Sequence, residues 1–192
     1  VRTFVPAGGR VLDPFAGVGT IPFEASLLGM KPYAFDISPA ALAICEAKLE
    51  PASERDCAKL IGDLNNYITS HELSADELDA AKQFGFNGKV AEYFHRDTLR
   101  EVLAARAFFQ SVPQDRPGRN LVLACLLHIL HGNRPYALSR RSHPITPFSP
   151  TGETEYRSLI EKLTEKVRRC LSVELPERFA TGRSFFQDAT ED

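Results

Sequence analysis

The sequence predicts an α/β fold in which parallel strands alternate with helices, interrupted by one large helical insertion. Three observations carry this reading. Residues 1–50 alternate short apolar runs with helical patterns, the order that builds a parallel sheet. From residue 51 to about residue 171 the alternation stops, and helical periodicity with a proline-rich stretch takes its place. Phe185-Phe186 then opens a third apolar run. The intervening insertion of ~120 residues is far longer than a connection requires, and insertions of that size tend to carry function.

Each element has a local reason. Residues 10–13 read as a short strand that enters a Gly17-x-Gly19 turn. Residues 20–28 read as a helix ended by Gly29, and residues 32–36 as a second strand. Ser38 is placed to cap a helix that begins at Pro39 and runs to about Leu49, since serine accepts from an orphan N–H and proline needs none. Within the insertion, residues 52–67 predict a helix, with a shorter one after Ser74. Asp97 is expected to cap a helix through Phe109. Residues 118–131 are nearly apolar on all sides and read as a buried helix. Residues 153–171 place Leu159, Leu163, Val167 and Leu171 on one helical face. No strand is expected between residues 51 and 171, and the third core strand is expected to end at Gln187-Asp188. The chain thus divides into the first part of the core (1–50), the insertion (51–171) and a return to the core (172–192).

The turn after the first strand is the most informative stretch. In Val11-Leu12-Asp13-Pro14-Phe15-Ala16-Gly17-Val18-Gly19-Thr20, glycines let the chain turn sharply and let a ligand touch the main chain. The second strand ends in Asp36, where such folds hold the hydroxyls of a ribose. Together these point to an adenosine-containing cofactor. Pro22 stands where a dinucleotide site wants its third glycine, and no Gly-Lys-Ser/Thr sequence follows the turn as a P-loop requires. Asp13 would repel a pyrophosphate but suits a cationic ammonium. S-adenosylmethionine, with adenosine, a sulfonium and an amino acid but no phosphate, satisfies these conditions.

The string Asp13 to Thr20, followed by Phe35-Asp36-Ile37-Ser38-Pro39, resembles motifs I and II of the amino-methyltransferases that modify exocyclic nitrogens of adenine or cytosine in DNA, or of guanine in some RNAs. The resemblance implies a Rossmann-like class I methyltransferase core, incomplete in this sequence, with the helical insertion between its second and third strands. It implies that Asp13, Pro14, Phe15, Gly17, Gly19, Thr20, Asp36 and Ile37 form the cofactor site. In that family an acid after the third strand accepts from the adenine amine, and the resemblance implies that role for Asp188. The same family carries an Asp/Asn/Ser-Pro-Pro-aromatic loop that holds the target amine beside the methyl group. No such tetrapeptide occurs here; Asn133-Arg134-Pro135-Tyr136 is the closest and has arginine for the first proline. The catalytic residues are therefore unassigned, and the expectation is a fragment that stops short of that loop.

A basic, proline-stiffened stretch within the insertion supplies Arg134, Arg140, Arg141 and His143, residue types that hold phosphates. These are the candidate nucleic-acid contacts, and DNA is the expected partner. The net charge of −2 provides no global attraction for nucleic acid, so any attraction is local. No run approaches the ~18 apolar residues of a membrane span. Cys45, Cys57, Cys125 and Cys170 form no Cys-x-x-Cys pair and so predict no zinc site. With no signal-peptide pattern, they read as reduced thiols of a cytoplasmic protein. The expected activity is methyl transfer to adenine N6 or cytosine N4 of DNA. Methylation of RNA guanine N2 and cofactor binding without chemistry are the alternatives. Target sequence and oligomeric state are not legible.

Overall fold

The computed structural model describes residues 1, 3–83, 85–86, 88–130, 135–140 and 153–188. Among them, it is an α/β structure with a small parallel sheet of three strands and seven helices. In chain order the elements begin β1 (Arg10–Asp13), α1 (Thr20–Leu27), β2 (Lys31–Asp36) and α2 (Pro39–Leu49). Next come α3 (Glu54–Ser70), α4 (Ala75–Gln83), β3 (Gly85–Phe86), β4 (Gly88–Lys89) and a 3-10 turn at Val90–Tyr93. The chain then forms α5 (Arg96–Ser111), α6 (Arg119–Leu130), α7 (Leu159–Leu171) and β5 (Arg183–Phe186).

By contacts the chain forms two compact units. The first comprises Val1–Cys57, Pro117–Ala124 and Arg169–Asp192; the second comprises Ala58–Arg116 and Cys125–Arg168. The first unit contains the parallel sheet, in the order β1-β2-β5. Val11, Pro32 and Ala34 are buried on the face covered by α1 and α2. On the opposite face Leu12 is 63% exposed, and the rings of Phe35 and Phe185 stack at 5.0 Å. The predicted return to the sheet is present but ends two residues earlier than expected: β5 ends at Phe186 instead of at Gln187-Asp188, and pairs with β2, Phe185 opposite Phe35. Its approach is tied down by Arg178 Nε donating to Leu27 O (2.9 Å), Ala180 N to Ser26 O (3.1 Å) and Gly182 N to Leu49 O (3.3 Å).

The second unit is chiefly helical. Leu60, Leu64, Leu103, Phe108, Ile129 and Leu159 belong to its buried core. Its polar clasp lies between α5 and the segment leading into α7. Buried Thr98 donates from Oγ1 to Arg157 O (2.9 Å) and accepts from Arg157 N (3.0 Å). Glu101 accepts from Tyr156 OH and Leu159 N, both at 2.7 Å.

Three expectations change here. A two-stranded antiparallel hairpin, β3-β4, sits where no strand was expected. Strands of two residues leave no alternation to detect in the sequence. The cap of α5 is His95, whose Nδ1 accepts from Asp97 N at 3.3 Å, so Asp97 lies inside the helix. The helix expected over 153–171 begins only at Leu159, because backbone groups of Arg157 and Leu159 bond to Thr98 and Glu101 instead of to a preceding turn.

Candidate functional site

The site begins with the stagger of two strands. Asp13, the last residue of β1, lies opposite Ala34, so β2 continues two residues further to Asp36. The turn after β1 rises alongside that tip. Ala16 N donates to Phe35 O at 2.9 Å, and Gly17 N donates to Asp36 Oδ2 at 2.7 Å. The other carboxylate oxygen, Oδ1, accepts from Ser38 N at 2.8 Å. Asp36 thereby joins the β1–α1 turn to the β2–α2 turn. A carboxylate offers about four acceptor positions, so two remain for hydroxyl donors.

The glycines divide the work of the turn. Gly17 has φ +51°, and a Cβ built there meets nothing within 4 Å. Its conformation favours glycine and its missing side chain leaves open space. Gly19 has φ +73°, and a Cβ there would lie 2.5 Å from Cys45 Sγ and 3.1 Å from Cys45 Cα. Here the absent side chain lets α2 approach. Gly19 also precedes α1 without any side-chain cap, so the first N–H groups of that helix are open to an acceptor.

Two residues of α2, a turn apart on one face, support the turn from below. Cys45 is buried in a cluster with Ala16, Ala34 and Leu49. Burial is the main cause that pushes its thiol up to about 11, so it is a packing group and a poor nucleophile. Lys48 Nζ donates to Val18 O at 2.7 Å. Neither residue stands out in the sequence without the turn above it; the spacing of 45 and 48 is the only trace.

Asp13, half-buried, accepts from Phe15 N at 3.2 Å through Oδ1. Pro14, Phe15, Thr20 and Ile37 are exposed, with Phe15 at 73% and Ile37 at 62%. Asp188 is half-buried two residues beyond β5, and the preceding Gln187 N donates to Asp36 O at 3.3 Å. Asp13, Gly17, Gly19, Asp36 and Asp188 thus all lie at the carboxyl ends of three adjacent parallel strands.

The nucleic-acid candidates fare differently. Arg134, Arg141 and His143 lie outside the described residues. Arg140 is half-buried in the second unit, and its backbone N–H donates to Tyr93 O at 2.7 Å. Among the described residues no helix is long and apolar enough to cross a membrane, and no group of three or more His, Cys, Asp or Glu is placed to hold a metal ion. Comparison with protein-family models, curated proteins and solved structures finds no match to this chain.

Proposed function

We propose that the chain binds S-adenosylmethionine at the carboxyl ends of β1, β2 and β5, and belongs to an amino-methyltransferase acting on adenine N6 or cytosine N4 of DNA. The observation that carries the cofactor reading is Asp36, which links both turns while keeping acceptor positions, beside a Gly17 whose missing Cβ leaves open space. Ligands of open parallel sheets bind at this end of the strands, and third-second-first is the strand order of the first half of a doubly wound nucleotide-binding sheet.

Each residue has a task in this reading. Asp36 accepts from the ribose hydroxyls, and Asp188 from the adenine amine. Asp13 attracts the methionine ammonium. Gly17 admits the ligand to the main chain, Gly19 lets the turn pack against α2, Thr20 opens the helix beneath it, and Pro14, Phe15 and Ile37 offer exposed apolar surface to its body. Three carboxylates around the turn disfavour a phosphate-bearing ligand. The cofactor supplies an electrophilic sulfonium methyl group. DNA contact is assigned to Arg134, Arg140, Arg141 and His143 on the chemistry of the sequence.

The lack of an Asp/Asn/Ser-Pro-Pro-aromatic tetrapeptide favours one second reading, in which this chain holds the cofactor without completing transfer alone. The test is incubation with methyl-labelled S-adenosylmethionine and unmethylated plasmid DNA, followed by nucleoside mass spectrometry. Labelled N6-methyladenine or N4-methylcytosine supports the first reading. Cofactor binding without labelled nucleoside supports the second, and labelled N2-methylguanine in a parallel RNA incubation would overturn the choice of DNA.

A further inference from the structure

The first unit contains a cavity of about 480 Å³, within the range of small-molecule sites. Phe23 of α1, Leu121 of α6, and Leu171, Val173 and Leu175 at and beyond the end of α7 supply apolar walls. Val173 is 67% exposed and Leu175 39%, so large apolar side chains stand open to water at the rim. Lys48 supplies the one formal charge: among the described residues, no Asp or Glu lines the cavity.

We propose that this cavity binds a small aliphatic carboxylate, with the tail between Phe23, Leu121, Leu171 and Val173 and the carboxylate on Lys48. An ammonium has three N–H donors, and Lys48 has one directed at Val18 O. The others are available to an anion without disturbing the glycine turn. Lys48 lies in the last turn of α2, where carbonyl ends carry partial negative charge. That partial charge opposes any anion, a phosphate dianion about twice as strongly as a singly charged carboxylate, so the single ammonium is better matched by a carboxylate. Asp36 does not line the cavity, and the proposal does not rest on the cofactor reading.

The experiment is calorimetric titration of decanoate, below its micelle concentration, into the whole chain, with decanol as the uncharged analogue. Saturable binding of one decanoate per chain is expected, with decanol and the Lys48→Met variant each weaker by about tenfold or more, a difference of about 1.4 kcal/mol. Lys48 is half-buried and Lys48→Met also loses the bond to Val18 O, so circular dichroism and the urea midpoint check that the variant stays folded. Ala47→Phe, which fills the cavity from α2, is expected to abolish decanoate binding. Equal affinities for decanoate and decanol, or an unchanged Lys48→Met, would overturn the proposal in favour of unspecific apolar adsorption. Absence of saturable binding would overturn it too. If sedimentation then showed self-association that Leu175→Glu abolished, the groove would be an interface between copies of the chain.

Discussion

The two ends of the β1–α1 turn use the same residue for opposite purposes. Gly19 is closed in: its left-handed backbone rests on Cys45, and an added methyl group would collide with α2. Gly17 is open: its backbone is also left-handed, but an added methyl group meets nothing, and its N–H is fixed by Asp36. The first glycine serves access and the second serves packing. A Gly-x-Gly pattern in sequence does not distinguish the two, and the neighbours of each position do.

Substitutions separate these roles. Gly19→Ala carries the largest expected effect: a left-handed alanine costs roughly 1–2 kcal/mol and overpacking against Cys45 about 1–3 more, read as a lower midpoint in urea. Asp36→Ala removes acceptors from Gly17 N and Ser38 N, and is expected to destabilise by about 1–3 kcal/mol and to weaken S-adenosylmethionine. Gly17→Ala is expected to cost only roughly 1–2 kcal/mol of stability while reducing cofactor affinity at least about tenfold, a split that Gly19→Ala does not show in that direction. Equal loss of stability at both glycines would break the comparison.

Smaller effects sharpen it. Cys45→Ala is expected to relieve part of the Gly19→Ala penalty by about 1 kcal/mol in a double-mutant cycle, and to give Gly17→Ala no relief. Alkaline pH probes the same contact. The folded Cys45 thiol is pushed up to about 11 from an ordinary 9.0. Above pH 9 the unfolded chain therefore releases a proton that the folded chain keeps, and stability falls as pH rises from 9 toward 11. Cys57, also raised to about 11, contributes in the same direction. Denaturation midpoints across that window are expected to decline less steeply in Cys45→Ala.

How much was legible in the sequence follows from the range of the interactions. β1, α1, β2 and α2 are written in local signals: strand, glycine turn, Ser38 cap, Pro39. The cap is present, with Ala41 N donating to Ser38 Oγ at 3.3 Å. The return of β5 to the sheet was legible from Phe185-Phe186, although burial is not what holds it: Phe185 and Phe186 are exposed, and the strand is held by its pairing with β2 and the stacking of Phe185 on Phe35. The start of α7 was not, since Thr98 and Glu101, more than fifty residues earlier, capture its upstream backbone. At the site, Asp13, Gly17, Gly19, Asp36 and Asp188 were readable as strand-end residues. Cys45 and Lys48 were not, because their role comes from lying on the side of α2 that meets the turn.

The role of Asp36 and the glycine turn is tested by calorimetric titration of S-adenosylmethionine into the wild-type chain and into Asp36→Ala, with both shown to be folded. Saturable binding by the wild type is expected, weakened by about 1–3 kcal/mol in the variant as charge-assisted hydrogen bonds are lost. A folded wild-type chain that binds no S-adenosylmethionine, or an Asp36→Ala variant that binds it equally well, would contradict the assignment of the glycine turn and Asp36 to the cofactor.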